Sequence, residues 1–240
     1  MGAISFSLDE SLLRLFHTQL SATCFVETGT FRGDTLAFAL TLFDRCYSVE
    51  KSAAYFERAR ERFHDQRNLI LEQGDSPLFL ATHCETLRNE PTIFWLDAHW
   101  CHADETAGSD SQSPLLDELS AIGQLGPDSA VIIDDARLYL APPPAPHRVG
   151  DWPDVHDVLL RLQRLGAGHR LMVLNDVILC YPEAMRDALY GFAAQHGVDW
   201  LGIATESRLY RELMGNKVGR FCRRLVRLFT RRRRPGQLNT

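Results

Sequence analysis

The middle of the chain alternates short apolar runs with longer amphipathic ones, and this alternation restricts the fold more than any other feature. Residues 24–27, 46–49, 69–71, 92–96 and 130–133 read as strands. Between them, 34–43, 53–63, 77–87 and 114–125 read as helices, the third opened by Ser76 as N-cap with Pro77 at its first position. Strands that alternate with helices connect by right-handed crossovers and build a parallel sheet covered on both faces. The pattern then changes. Residues 154–165 read as a helix, and 170–174 and 177–181 as strands joined by Asn175-Asp176, a spacing that suits an antiparallel hairpin at one edge of the sheet. The expected fold is α/β, with five parallel strands followed by that hairpin. Two long loops, 97–113 and 134–152, follow strands, and the second contains Pro142-Pro143-Pro144. Loops of that length in a compact domain are expected to bind ligands.

A chain of 240 residues, 45% apolar and 24% charged, has the length and composition to bury one sizeable core. No apolar run reaches the roughly 18 residues that span a bilayer. Asp9 and Glu10 interrupt the first helical pattern, so no secretory signal is expected. The six cysteines (Cys24, Cys46, Cys84, Cys101, Cys180 and Cys222) form no Cys-x-x-Cys pair, and a reduced, cytoplasmic setting is expected. Charge is unevenly distributed. Lys217 and eight arginines up to Arg234 carry nine positive charges with no acid after Glu212; the net charge of −5 therefore leaves the preceding residues at −14. The implied organisation is an N-terminal helical segment (1–23), a central α/β domain (24–182), a helical extension (183–216) and a basic amphipathic tail (217–240). In the tail, Val218, Phe221, Cys222, Leu225, Leu228 and Phe229 recur at helical spacing. Such a helix suits an anionic membrane surface, which would place the chain peripherally at the inner membrane, or a protein partner bound through 217–234. It also suits simple packing on the body. The acidic body argues against a broad nucleic-acid footprint.

The sharpest local signal is Phe25-Val26-Glu27-Thr28-Gly29-Thr30-Phe31-Arg32-Gly33-Asp34. A strand runs into a turn with Gly29 at its tightest point, and Gly33 is expected to let the next helix pack closely on the sheet. A ligand lies across the carboxyl ends of the strands at such a loop. Glu50 ends the second strand, where an acid can bind both hydroxyls of a ribose. Gly74-Asp75 follows the third, where a short acid can accept from an adenine amino group. Taken singly, Glu50 reads as well as a helix cap, and Asp75 as a turn residue. Together they mark the ends of three successive strands.

Glu27-x-Gly29-x-x-x-Gly33, then Glu50, then Gly74-Asp75, resembles the first three motifs of class I S-adenosylmethionine-dependent methyltransferases, over residues 24–181. The resemblance implies a Rossmann-like seven-stranded, mostly parallel sheet with a terminal antiparallel hairpin, and S-adenosylmethionine as cofactor. It implies that Glu27 and Gly29 lie near the methionine part, that Glu50 holds the ribose, that Asp75 lies by the adenine, and that Thr30 and Gly33 also belong to the cofactor site. The chain departs from the commonest form of the motif in having Phe31 where a second glycine usually stands.

Asp97 lies just beyond the fourth strand and Asp134-Asp135 just beyond the fifth. Three carboxylates at one sheet edge repel one another and suit a hard cation such as Mg²⁺ or Ca²⁺, although acids at strand ends also cap helices and hold loops. The arrangement resembles the metal-dependent O-methyltransferases of the catechol type and of the macrolide and aminocoumarin sugar type. By that resemblance Asp97, Asp134 and Asp135 are magnesium ligands. His99 falls where the sugar-modifying group keeps an acidic general base, and imidazole, with its pKa near 6.5, is competent for that task. His99, Cys101 and His102 lack the paired spacing of a zinc site. Arg137, Tyr139 and His147 follow the carboxylate pair in the proline-rich loop and read either as acceptor contacts or as ordinary solvated loop residues. The expectation is metal-assisted O-methylation of a sugar or another small hydroxylated acceptor. The alternatives are an NAD-dependent oxidoreductase, which has no use for three clustered acids, and a non-catalytic nucleotide- or glycan-binding module.

Overall fold

The structure is a computed structural model that describes residues 8–100 and 111–199, with Gly202 and Thr205. The chain divides into two compact units, Met1–His196 and Gly197–Thr240, and every element of the sheet and its helices lies in the first. The basic tail, most of the second unit, and Cys101, His102, Asp104 and Glu105 in the first long loop lie outside the described residues.

Seven strands form one sheet: β1 (Cys24–Thr28), β2 (Arg45–Glu50), β3 (Leu69–Gln73), β4 (Thr92–Leu96), β5 (Ala130–Ile133), β6 (His169–Leu174) and β7 (Val177–Pro182). Their order is β3-β2-β1-β4-β5-β7-β6. The first five run parallel, while β7 is antiparallel to both β5 and β6. This is the expected Rossmann-like α/β sheet with its closing hairpin. β1, β4 and β5 are buried on both faces, which is why they read as continuous apolar runs.

Residues alternate between two cores along each strand. Cys24 and Val26 pack with α4 (Ser76–Leu87), α5 (Leu115–Ile122), α6 (Arg137–Leu140) and α7 (Val155–Leu165). Phe25 packs on the opposite face with α1 (Glu10–Leu20), α2 (Asp34–Ala39), α3 (Ala53–Arg62) and α8 (Arg186–His196). α1 is capped by Asp9, whose carboxylate accepts from the Ser11 and Leu12 amides at 2.8 and 3.2 Å. Leu12, Leu13 and Phe16 of α1 share their core with Leu189 and Phe192 of α8.

Two helices are shorter than their sequence pattern. α2 stops at Ala39, four residues before the expected Phe43. The Thr41 hydroxyl bonds the Phe38 carbonyl at 2.7 Å, and the turn that follows drives Phe43 into the core against Phe25, ring centres 5.3 Å apart. α5 stops at Ile122 because Gly123 turns left-handed, at φ 69°. Among the described residues no helix is long and apolar enough to cross a membrane. Cys24, Cys46, Cys84 and Cys180 are free and buried.

Candidate active site

The carboxyl ends of β1 to β5 share one edge, and the loops there bring the expected residues together. The Gly29 amide bonds the Val49 carbonyl at 2.9 Å, and Gly29 has φ 85°. A Cβ at this position would lie 2.3 Å from the Asp97 carbonyl oxygen, so the β1 loop passes under the end of β4 only as glycine. Glu50, buried at the end of β2, braces this loop. Its Oε2 accepts from the Phe31 amide at 2.7 Å and its Oε1 from the Ser52 amide at 2.8 Å. That bond holds Phe31 in the left-handed region, at φ 48°, where a glycine would sit without strain. Gly33 is also left-handed, but its missing side chain makes room for the Phe63 ring beyond α3, 2.6 Å from where a Cβ would be, and not for the sheet as expected.

Glu27 is 1% exposed. The Ser48 hydroxyl donates to its Oε2 at 2.6 Å, and the Thr30 hydroxyl lies 2.7 Å from that of Ser48. Burial, with the Glu50 charge adding to it, pushes the Glu27 carboxyl up to about 8. Asp75 differs from these acids. Its side chain is half exposed and is paired with Lys51 at 3.2 Å.

The acids beyond β4 and β5 converge on His99, which is 8% exposed. Its Nε2 donates to Asp135 Oδ2 at 2.9 Å, and its Nδ1 lies 3.5 Å from Asp97 Oδ1. Burial pulls the imidazole pKa down, but the Asp135 hydrogen bond and the charges of Asp135, Asp134 and Glu118 outweigh it and raise it. Burial and the neighbouring Asp135 charge push Asp134 up to about 6. Burial acts on Asp135 in the same sense, yet His99 and Arg137 hold it below the usual carboxylate range. The Arg137 guanidinium donates to Asp135 Oδ1 at 2.6 Å and to Asp176 in the β6–β7 turn.

The second long loop is partly helical, with α6 and a 3-10 turn at Val149–Asp151. Gln112 ties it to the first: its Oε1 accepts from the Arg148 amide at 2.7 Å and the Trp152 indole at 3.1 Å. Trp152 lies against His99, Tyr139 and His147, with ring centres 5.6, 5.5 and 5.2 Å away. The rings form an aromatic wall beside the His99 imidazole.

Reading the sequence missed Glu118, Gln112 and Asp176. Asp176 and Gln112 gave no signal beyond being loop residues. Glu118 did: it interrupts the apolar stripe Leu115, Leu119, Ile122 of α5.

The three expected magnesium ligands lie near one another, but the donor set as folded does not fit a divalent ion. One oxygen of Asp135 is taken by His99 and the other by Arg137. Among the described residues no three His, Cys, Asp or Glu side chains are arranged to hold a metal. The residues do fit an extended nucleoside-bearing cofactor. Glu27 and Glu50 stand beside the β1 loop, the residue types that such a loop offers a nucleoside-bearing ligand.

No protein-family model matches the chain, and no curated protein matches it in sequence. Solved structures do match. A candidate O-methyltransferase from Klebsiella pneumoniae is 15% identical, with 72% of this chain and 79% of that one aligned at a TM-score of 0.51. A candidate caffeoyl-CoA O-methyltransferase from Staphylococcus aureus is 14% identical, covering 72% and 84% at 0.49. A sugar N-methyltransferase from a Streptoalloteichus species is 14% identical, covering 72% and 85% at 0.49. The chain therefore shares the fold of the Klebsiella protein.

Proposed function

We propose that the chain is an S-adenosylmethionine-dependent methyltransferase that acts on a hydroxyl of a small acceptor, a sugar or a phenol-like molecule. The observation that carries this reading is the pairing of a buried His99–Asp135 dyad with the Glu27–Gly29–Glu50 loop at one sheet edge. The shared fold with a candidate O-methyltransferase supports it. When bound, the cofactor supplies an electrophilic methyl group for in-line displacement.

The chain's own residues do the rest. In this reading Glu50 would meet the ribose, and Glu27 would meet the cationic end of the ligand, whose charge would favour its ionised form. Asp135 fixes the His99 ring through Nε2, which leaves Nδ1 to take the proton of the acceptor hydroxyl. Asp135 also balances the charge of the imidazolium that forms. Asp97, 3.5 Å from Nδ1, would orient that hydroxyl, and the Trp152 wall would hold the ring that carries it. Arg137 occupies Asp135 in the way a metal ion otherwise would.

Transfer of labelled methyl groups from S-adenosylmethionine to a panel of catechols, phenols and glycosides tests this. Transfer to a hydroxylated acceptor is expected, unaffected by EDTA and reduced about 100-fold in His99→Asn. Transfer that collapses in EDTA and returns with Mg²⁺ would restore Asp97, Asp134 and Asp135 to the role of ligands.

A further inference from the structure

Glu118 is 2% exposed, on the side of α5 that faces the sheet. Ser76 and Thr28 lie beside its carboxyl group, and its Oε1 is buried with no hydrogen-bond partner. Buried acceptors are almost always satisfied, and one left open beside a binding edge marks a place where a ligand completes the bonding. The open oxygen is well placed for that. Thr28 ends β1, Ser76 opens α4 after β3, and His99 follows β4. The carboxylate of Glu118 thus lies among the ends of three elements on the α4–α5 face. Glu27, Ser48 and Glu50 alternate onto the opposite face with Phe25 and Cys46. An extended cofactor with its ribose at Glu50 and its methionine end at Glu27 has its base left to cross toward Ser76.

We propose that Glu118 Oε1 accepts a hydrogen bond from the exocyclic amine of the cofactor's adenine, so that Glu118, and not Asp75, reads the base. This inference rests on the reading of the chain as a binder of S-adenosylmethionine. Asp75 is a poor reader because its carboxylate is half exposed and already paired with Lys51. With Glu118 ionised, a base carrying a carbonyl in place of the amine would set two acceptors against each other there. Rejection of such an analogue follows from an unpaired buried group rather than from shape.

The test is calorimetric titration of the full chain with S-adenosylhomocysteine and with its deaminated counterpart, S-inosylhomocysteine. The unmodified chain is expected to prefer the adenine form by about ten-fold or more, the worth of one buried hydrogen bond. Glu118→Gln keeps the shape but can present N–H groups to the base, and is expected to bring the ratio to about one. Glu118→Asp, which withdraws the oxygen by one methylene, is expected to lose the preference as well, and it serves if the glutamine variant does not fold. Asp75→Asn is expected to leave the ratio unchanged. A purely structural role for Glu118 would weaken both ligands equally and keep the ratio, which would overturn the proposal. Loss of the preference in Asp75→Asn would overturn it too. If the unmodified chain binds neither ligand, the cofactor reading falls, and this inference falls with it.

Discussion

Glu27 is a carboxyl closed off from water at the end of a central strand, and its protonation couples the site to the stability of the fold. Its native pKa stands near 8 against 4.5 for an ordinary glutamate. Between those values the folded chain holds a proton that the unfolded chain has released, so stability falls as pH rises through that window. Glu27→Gln keeps the acceptor for Ser48 and removes the ionisation. The Tm of the unmodified chain is expected to fall more steeply than that of the variant between about pH 5 and 8. Equal slopes in parallel thermal melts would contradict the assignment. At this scale the sequence was legible where a motif fixes a backbone need. Gly29 and Glu50 are where the pattern put them. It was less legible where a side chain has a choice of partner: no spacing rule says that Asp135 meets His99 and Arg137, or that Asp75 turns to Lys51.

At the scale of elements, the closing hairpin does more than cover an edge. Asn175 and Asp176, both at positive φ, make the turn, and the Asp176 carbonyl accepts from the Ala136 amide at 2.7 Å. Its carboxylate accepts from the Arg137 amide at 2.9 Å and from the Arg137 guanidinium. The β6–β7 turn thereby fixes Arg137, and through it Asp135 and the His99 ring. Asp176→Asn retains an acceptor but loses the charge. Methyl transfer is expected to fall on the order of ten-fold as His99 loses its alignment, with cofactor affinity within about two-fold of the original. A matching loss of affinity would mean that the hairpin supports the fold rather than the dyad. The strands were legible to within two residues at either end, and β4 and β5, buried on both faces, were legible to the residue because such runs admit little other reading. α6 was not, since a helix of four residues is too short to show a period.

For the whole molecule, the notable division is one of charge. A body at −14 precedes a tail carrying nine positive charges. We propose that the tail seats the chain on anionic lipid, with its apolar stripe in the interface and its arginines on the headgroups. Removal of 217–240 is expected to abolish sedimentation with phosphatidylserine vesicles while leaving cofactor binding intact; unchanged sedimentation would exclude the tail as the anchor. The sheet order and its antiparallel end set the class of fold, and many chemistries share such a sheet, so the account stands or falls on the ligand at the β1 loop. Calorimetric titration with S-adenosylmethionine, S-adenosylhomocysteine and NAD in parallel tests that directly. Binding of the first two at micromolar concentrations, with or without Mg²⁺, and none of NAD, is expected. Binding of NAD alone would contradict it.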